Sequence, residues 1–450
     1  MDLKDPTTER RGSPEKGLPP KLAALRIKLG QKAKQEPGFR FYALYGHLLR
    51  VDVLETALAM VCSGKGRNTP GVDGVTADQV VNAEGGTGPW LAQLREELRA
   101  KSYRPQPVKR VYIPKANGKM RPLGIPTIRD RVVQRAIVLI LEPIFEADFL
   151  DCSHGFRPGR SAHDAVREVQ ENLREGFVEV YDADLKGYFD SIPHDKLMKG
   201  LEQRISDGAI LKLIRLILRA PIRDGREPPK RPTSGTPQGG VISPLLANSF
   251  LHWFDRAFHG KGGPGTWAKA RLVRYADDFV VMARYIDGRI AGYIEDTIEG
   301  RLGLTINRDK TKILRVKSED VVLDFLGYSY RWSRSQRDGG GPRYWRLEAS
   351  KKAQQAIRDK VRDLTGPKTC FVPVAELVQQ VNRVMSGWLN YYQLGHPLKA
   401  RWNLVRFAES RIVRHLGRRS QRPYKPPKGV SLYQHVHDLG LIPVGTKRGG

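Results

Sequence analysis

The sequence has few cysteines, no CxxC pair and no long apolar run. Its three cysteines, Cys62, Cys152 and Cys370, are far apart, so neither a disulfide framework nor a zinc ribbon is predicted. The N-terminal stretch MDLKDPTTERRGSPEKG is polar and lacks the apolar segment of a secretion signal. The longest apolar run, AIVLILEPIF from Ala136, is short and contains Glu142, so no membrane-spanning segment is expected. These features indicate a protein of a reducing cytoplasm.

Acidic residues are scarce relative to basic ones. The 77 lysines and arginines against 48 aspartates and glutamates give a net charge of +29 and a pI near 10.1. Such an excess attracts polyanions, and nucleic acid is the commonest large anionic partner. A charged soluble surface or an acidic membrane would also account for the excess, but its size favours nucleic acid.

The order of predicted elements indicates the fold class. At 450 residues the chain is too long for one core, so two or three domains are expected. Segregated helices and short antiparallel strands predict an α+β fold rather than a doubly wound sheet. From Arg401 onward, basic residues are interleaved with aromatic ones, which favours an ordered nucleic-acid surface over a solvated tail.

The stretch RYADDFVV places two adjacent aspartates, Asp277 and Asp278, inside an apolar pattern. The runs RLVRY and FVVMA can pair as antiparallel strands, with both aspartates at or near the turn. Upstream, Asp182 and Asp184 alternate along a predicted strand and therefore share a face. Carboxylates clustered in this way repel one another, and two divalent cations such as Mg²⁺ would neutralise them. Turn aspartates on a solvated edge are the alternative.

A hairpin is predicted around the Asn117-Gly118 turn. Lys115 and Arg121 flank this turn. At that position they could contact the phosphate groups of a ligand, or they could serve solubility alone.

Short motifs follow one another in a fixed order along the chain. They are NTPGVDGVT, RVYIPKANGKMRPLGIPTIRDRVVQRAI, HGFRPGRSAHDAV, YDADLKGYFDSI, TPQGGVISPLLAN, YADD, LGLTINRDKTKIL, FLGYSY and SGWLNYY. This series resembles the reverse transcriptases encoded by bacterial group II introns. In order, the motifs are similar to that family's extra N-terminal block, fingers block, third block, palm motifs A, B, C and D, the following strand, and the thumb or maturase region.

The resemblance implies a right-hand polymerase with fingers, a palm built on an antiparallel sheet, and a helical thumb. It predicts a reverse transcriptase part, fingers and palm, over 38–330. Before it, the basic and proline-bearing composition of residues 1–37 predicts a mobile basic N-terminal arm. A thumb or maturase domain would follow over 331–415, and a short basic nucleic-acid-binding segment over 416–450. The tail shows no Cys/His-rich endonuclease domain.

The resemblance also implies a metal site. Asp184 and Asp277 would hold two Mg²⁺ ions, for which Mn²⁺ could substitute. Asp278 would be the supporting second acid, and Leu185 would contribute its backbone carbonyl. Asp182 competes with Asp184 for the ligand role, and Asp184 is favoured because LKGYFD follows it at the family's spacing.

Further positions match the family's nucleotide site. Lys115 and Arg121 would bind the triphosphate, and Gln238 would lie against the nascent base pair. Phe189 would lie under the sugar and exclude a 2′-hydroxyl, which favours dNTPs over NTPs; otherwise it is a core residue. Lys310 would donate a proton to pyrophosphate, or it is a surface lysine.

The motif HGFRPGRSAHDAV offers basic residues with different expected roles. Arg157 and Arg160 are predicted to contact template phosphates. His154 and His163 are not spaced like metal ligands, so they are predicted to be structural.

The resulting hypothesis is an RNA-directed DNA polymerase that also binds intron RNA and assists splicing, as a maturase, in retromobility. Its partners would be an RNA template, a DNA or RNA primer, dNTPs and group II intron RNA. The chain could also form a homodimer. The expected location is the bacterial cytoplasm, at the nucleoid when on DNA. One alternative is a standalone reverse transcriptase in phage defence, CRISPR spacer acquisition or DNA repair. The other is a splicing chaperone without polymerase activity, against which the intact acids argue.

Overall fold

The computed structural model describes residues 15–114, 118, 120–335, 341–419 and 424–443. These residues form two compact units. The larger unit contains the described residues up to Ser161 together with 181–313, and the smaller unit contains 162–180 together with the described residues from Leu314 onward. None of the described helices is both long enough and apolar enough to cross a lipid bilayer.

Helices and short strands combine in an α+β arrangement, which confirms the predicted class. The helices are α1 (Pro20–Gln35), α2 (Leu44–Leu48), α3 (Val51–Cys62), α4 (Ala77–Val81), α5 (Thr87–Arg99), α6 (Ile128–Glu146), α7 (Ala162–Arg174), α8 (Tyr188–Ser191), α9 (His194–Glu202), α10 (Gly208–Leu218), α11 (Ser243–His259), α12 (Pro264–Trp267), α13 (Gly288–Glu295), α14 (Lys351–Leu364), α15 (Val374–Tyr391), α16 (Leu398–Leu416) and α17 (Leu432–Asp438). The strands are β1 (Val108–Pro114), β2 (Met120–Ile125), β3 (Glu179–Ala183), β4 (Ile222–Arg223), β5 (Arg271–Tyr275), β6 (Asp278–Ala283), β7 (Lys312–Arg315), β8 (Val322–Phe325), β9 (Tyr328–Arg334) and β10 (Arg343–Ala349).

Helix α6 is the centre of the helical core in the larger unit. It begins at a Thr127 cap, whose hydroxyl accepts a hydrogen bond from the Asp130 N–H. Its side chains are buried over most of its circumference, as Ile137 and Leu141 illustrate with no exposed surface. Each such side chain contributes about 1.5–3 kcal/mol by leaving water. Helices α1 and α3 pack against α6 and complete this core.

Residues 20–35 form α1, although the sequence predicts a mobile basic arm over residues 1–37. Leu22, Leu29 and Ala33 share one face of α1 and are buried. Arg26 on the same face is buried as well, because it donates hydrogen bonds to the Leu139 carbonyl and to Glu142 of α6, both at 2.7 Å. The arm prediction is therefore wrong for this stretch. The apolar face of α1 is narrow and hard to recognise in the sequence among the surrounding lysines. Residues 1–14 of the predicted arm lie outside the described residues.

The predicted hairpin is confirmed. Strands β1 and β2 pair antiparallel, from Lys109 opposite Ile125 to Pro114 opposite Met120. Gly118 in the turn has a φ of 76°, a left-handed conformation that glycine adopts without strain. Strand β4 joins the other edge of β1 in parallel.

A four-stranded sheet in the order β5-β6-β3-β7 carries the predicted acids. Strands β5 and β6 form an antiparallel hairpin, and their apolar residues are buried on both faces. On one face Phe279 of β6 packs against Phe254 of α11, with ring centroids 5.2 Å apart. Because the hairpin is enclosed in this way, the residues at its turn are held on a rigid support.

The smaller unit combines α7, an antiparallel sheet in the order β10-β9-β8, and the helices from α14 onward. Tyr330 of β9 donates a hydrogen bond to the Val166 carbonyl of α7 at 2.8 Å. Helix α14 packs against both α15 and α16. Residues Leu377, Val381 and Met385 line the buried face of α15, at the spacing of an amphipathic helix.

Candidate active site

The hairpin β5–β6 closes through a two-residue loop, Ala276-Asp277, because Tyr275 pairs with Asp278 across it. Ala276 has a φ of 59°, the left-handed conformation that such short loops require. Asp277 is half-buried and Asp278 is exposed. The prediction that the two aspartates lie at or near a turn is confirmed.

The buried guanidinium of Arg274 holds this loop from behind. Its Nη1 donates hydrogen bonds to the Ala276 carbonyl at 2.9 Å and to Asn248 Oδ1 at 3.1 Å. Its Nε and Nη2 form a two-point ion pair with Asp255, and neither side chain of the pair has any exposed surface. Burial lowers the pKa of Arg274, but the Asp255 carboxylate outweighs burial and raises it. The guanidinium therefore stays charged.

Asp184 follows β3, which lies next to β6 in the sheet. Its Oδ2 accepts hydrogen bonds from Lys310 Nζ at 2.9 Å and from Asn307 Nδ2 at 2.8 Å. Its backbone carbonyl also accepts a hydrogen bond from the Asn307 N–H at 2.8 Å. Sequence reasoning found Lys310 but missed Asn307, because only the pairing of segments 123 residues apart reveals this contact.

The carboxylates at the site repel one another. Loss of hydration raises the pKa of Asp278 to about 8. Three further carboxylates add to the rise: Asp182, Asp277 and Asp184. Asp278 remains exposed to water, so the repulsion by these three charges is the cause that its position at the turn supports best. Loss of hydration also raises the pKa of Asp277; Asp184 adds to that rise and the charge of Arg121 opposes it.

These acids fit a hard divalent cation in charge and in ligand type. Oxygen ligands suit Mg²⁺, and a cation would relieve the repulsion that raises the pKa of Asp278. Within the described part of the chain, no three acidic, histidine or cysteine side chains are arranged around one ion position. The carboxylate of Asp184 is turned instead toward Lys310, whose ammonium supplies the positive charge.

Leu185 forms an isolated antiparallel bridge with Ile306. The hydrogen bonds of this bridge are made by the residues on either side, Asp184 and Lys186. The pairing therefore leaves the Leu185 carbonyl unused. The predicted role of this carbonyl as a metal ligand requires that. Coordination of a metal by this carbonyl stays a prediction.

Phe189 and Gln238 are linked through the loop that precedes α11. The Thr236 N–H donates a hydrogen bond to the Phe189 carbonyl at 2.6 Å. The Gln238 side-chain amide donates one to Asp190 Oδ2 at 3.0 Å, and the Gln238 backbone carbonyl accepts one from the Gly124 N–H of β2 at 2.6 Å. The structure thus brings Phe189, the predicted sugar gate, and Gln238, the predicted base-pair contact, together beside β2.

Of the two residues predicted to contact the triphosphate, Arg121 and Lys115, only Arg121 belongs to the described residues. Arg121 is an exposed residue of β2, opposite Ile113, and its charge acts on Asp277. Its contact with a triphosphate stays a prediction. Lys115 lies outside the described residues.

The side chain of Phe189 contacts two other aromatic rings. Tyr188 is fully buried and donates a hydrogen bond to the Ala247 carbonyl at 2.6 Å, so it is the core residue of this pair. Phe189 is only half-buried, and its ring meets those of Tyr188 and Phe156 at centroid distances of 5.5 and 6.4 Å. Sequence reasoning did not single out Phe156.

Arg157 is a structural residue, so the prediction that it contacts template phosphates is wrong. It is 3% exposed, and its guanidinium donates hydrogen bonds to both carboxylate oxygens of Glu146. It also donates to the carbonyls of Leu150 and Ser153, at 2.6 and 2.7 Å. Its donors are therefore used inside the protein. Arg160 pairs with Asp151 near the surface, and its contact with a template stays a prediction.

The histidines of the same motif are buried, as their structural interpretation requires. The backbone N–H of His154 donates a hydrogen bond to the Arg274 carbonyl at 2.8 Å, which ties this segment to β5. The His163 ring is bonded to the Tyr391 carbonyl at 2.6 Å within the smaller unit.

Comparisons with known proteins identify relatives of this chain. A reverse transcriptase (RNA-dependent DNA polymerase) family model matches residues 113–330, and a group II intron maturase-specific domain model matches residues 354–429. Protein YkfC of Escherichia coli (strain K12) is 37% identical over 349 residues, which cover 70% of this chain and 90% of YkfC. The group II intron-encoded protein LtrA of Lactococcus lactis subsp. cremoris is 39% identical over 242 residues, which cover 53% of this chain and 39% of LtrA. A solved structure of telomerase from Candida albicans matches 73% of this chain and 62% of that chain, at 12% identity and a TM-score of 0.39.

Proposed function

Because this chain belongs to the family of reverse transcriptases and maturases encoded by group II introns, we propose that it extends a primer 3′-hydroxyl with dNTPs on an RNA template. The observation that carries the proposal is the acidic turn of β5–β6, where Asp277 and Asp278 lie within electrostatic reach of Asp184. Family membership also identifies the α+β elements as parts of a right-hand polymerase.

The acidic turn and the end of β3 are proposed to hold two Mg²⁺ ions, with Mn²⁺ as a substitute. The proposed ligands are Asp184, Asp277, Asp278 and the backbone carbonyl of Leu185. Ions of this kind activate an attacking hydroxyl and stabilise a leaving pyrophosphate. The chain presents these oxygens from elements whose positions are fixed by the sheet and by Arg274.

The remaining predicted residues are proposed to bind and orient the nucleotide. Arg121 and Lys115 contact the triphosphate, since Arg supplies a planar fork of donors and Lys a compact charge. Phe189 lies against the sugar, and Gln238 against the nascent base pair. Lys310, whose ammonium is held by the neighbouring acid, is the proposed proton donor to pyrophosphate.

The smaller unit is proposed to bind intron RNA and to assist splicing, because it contains the residues matched by the maturase domain. On α16 the Arg406 guanidinium lies 4.6 Å above the ring of Trp402, which is 45% exposed. Arg362 of α14 lies 5.2 Å from the ring of Phe407. Paired cations and aromatic rings suit a nucleic-acid backbone with unstacked bases.

The proposed function also suggests a cellular location and an oligomeric state. The protein would act in the bacterial cytoplasm, at the nucleoid when on DNA, as a monomer or a homodimer. A group II intron RNA beside the gene would support the intron role. Its absence would support a standalone reverse transcriptase.

Primer extension by the full chain tests the proposed activity. The substrate is an RNA template annealed to a DNA or RNA primer, with dNTPs, and Mg²⁺ is titrated and then replaced by Mn²⁺. We expect templated extension that a chelator abolishes. If RNA binding is retained and no extension occurs with either metal, the polymerase proposal is wrong and the alternative of a splicing chaperone is favoured.

The proposed sugar gate gives a prediction for Phe189→Ala. Removing the ring opens space for a 2′-hydroxyl, so the ratio of kcat/KM for a dNTP to that for the matching rNTP is expected to fall by at least about tenfold. The measurement is single-nucleotide incorporation on an RNA template. Phe189→Tyr, which keeps the ring, serves as the matched control and should retain most of the discrimination. An unchanged ratio in Phe189→Ala would show that another residue excludes the hydroxyl.

A further inference from the structure

Phe156 has an unfavourable backbone conformation and an exposed aromatic side chain. Its φ is 57°, in the left-handed region that bulky L-residues rarely adopt. Its side chain is nevertheless 45% exposed, so burial of the ring does not account for the conformation. Strain of this kind persists only where the surrounding structure enforces it, and it is concentrated at functional sites.

The backbone on the N-terminal side of Phe156 is fixed against the acidic turn. Asn248 Nδ2 donates a hydrogen bond to the Gly155 carbonyl at 2.7 Å, while Asn248 Oδ1 accepts one from Arg274. Gly155 lies so close to the turn that a Cβ would be 2.4 Å from the Ala276 backbone nitrogen. The group that supports the acidic turn therefore also fixes the segment that presents Phe156.

The backbone on the C-terminal side is fixed as well. Arg157 is anchored by Glu146 and by the Ser153 carbonyl, which lies four residues earlier in the chain. The loop is thus closed on itself around Phe156. With both neighbours anchored, the backbone that carries the Phe156 ring has a defined position.

That position is beside the proposed sugar gate. The rings of Phe156 and Phe189 meet edge to face, with centroids 6.4 Å apart and planes at 82°. Phe189 also meets the ring of Tyr188, at 65°, and Tyr188 is itself held by burial and by the hydrogen bond of its hydroxyl. One buried ring and one exposed ring therefore restrict the orientation of Phe189.

We infer that Phe156 is a positioning residue that holds the Phe189 ring and thereby sets the choice between deoxyribonucleotides and ribonucleotides. This inference rests on the proposed function, because it requires Phe189 to be the sugar gate. A ring excludes a hydroxyl only if it cannot rotate away. An edge-to-face contact favours one orientation by roughly three- to tenfold, and that preference is lost when Phe156 is removed.

Single-nucleotide incorporation by the full chain on a primed RNA template tests the inference. For Phe156→Ala we expect the dNTP-to-rNTP ratio of kcat/KM to fall by roughly three- to tenfold, through a lower KM for the rNTP. Phe156→Gly should show the same loss with an unchanged or higher Tm, because glycine adopts the left-handed conformation without strain. Phe156→Tyr, which keeps the ring, should have the same dNTP-to-rNTP ratio as the parent chain.

Phe189→Ala, measured in parallel, distinguishes the role of Phe156 from that of the sugar gate. If it lowers the ratio while Phe156→Ala and Phe156→Gly do not, the inference is wrong and the gate stands. If it leaves the ratio unchanged, the gate is wrong and the inference fails with it. An equal loss of kcat/KM for both nucleotides in Phe156→Ala would show a merely structural role and would also overturn the inference.

The double variant Phe156→Ala/Phe189→Ala shows whether the two rings act together. Phe156→Ala should add almost nothing to the effect of Phe189→Ala, since the first residue acts through the second. Independent, additive losses would contradict the inference. Tyr285→Ala, which removes another exposed ring of the larger unit, should leave the ratio unchanged.

Discussion

Replacing Asp277 by asparagine is expected to lower primer extension by more than about a hundredfold, since removing even the hydrogen-bonded partners of metal ligands costs about 10- to 100-fold. Asparagine keeps the size of the side chain and its place in the hairpin loop. It removes the charge that a proposed Mg²⁺ ligand needs. Extension rates on an RNA template measure the effect, and RNA affinity, measured by anisotropy, should change little because the basic surface is untouched.

The stability of the same variant is an independent readout. Loss of hydration raises the pKa of Asp277 in the folded chain, so the charged form is less favourable there than in the unfolded chain. Without metal, the stability that this group contributes falls as pH rises past its unfolded pKa, and asparagine removes that penalty. The Tm of Asp277→Asn at neutral pH should therefore equal or exceed that of the parent chain.

Asp296→Asn is the matched control, because Asp296 is an exposed aspartate of the larger unit outside the acidic site. It should leave extension, RNA affinity and Tm unchanged. Parallel losses of RNA affinity and extension in Asp277→Asn would show that Asp277 is structural. Full extension in that variant would show that other groups bind the metal.

The acidic site could be predicted from the sequence because each of its parts has a local signal. Alternation placed Asp182 and Asp184 on one face of a strand, and the charges of both act on Asp278 in the structure. Paired apolar runs predicted the β5–β6 hairpin, and the motif order predicted which acids come together. The choice of Asp184 over Asp182 as the metal ligand stays a prediction, since the charges of both raise the pKa of Asp278.

The roles of individual arginines could not be predicted in the same way. In the sequence Arg157 lies in a basic motif and resembles a phosphate contact, but Glu146 of α6 and nearby carbonyls use its donors. Arg26 lies among lysines and yet is buried against α6. Whether an arginine faces inward depends on partners in other elements, and a single sequence does not show those pairings.

Arg274 is the clearest such case, and its replacement by methionine is the second large effect that we expect. Arg274 and Asp255 are completely buried, so removing the arginine leaves an unpaired carboxylate in the core. The larger unit should lose about 3–5 kcal/mol of unfolding free energy. At about 2–4 °C per kcal/mol for a unit of this size, the Tm should fall by roughly 6–20 °C.

Arg308→Met is the control, because Arg308 is likewise an ion-paired arginine of the larger unit, bound to Glu295 and Glu299, but its side chain is 51% exposed. An exposed pair contributes about 0–1 kcal/mol, so the Tm should change by no more than a few degrees. A loss as large as that of Arg274→Met would show that burial of the ion pair is not the cause.

The double variant Arg274→Met/Asp255→Leu separates stability from catalysis. Apolar side chains of similar volume can replace a buried ion pair at little cost, so most of the lost Tm should return. The Ala276 carbonyl still lacks the donor that holds the loop of Asp277, so extension should remain slower than in the parent chain. Recovery of both Tm and the extension rate would show that the ion pair serves only stability. Recovery of Tm alone would show that Arg274 also positions the acidic turn.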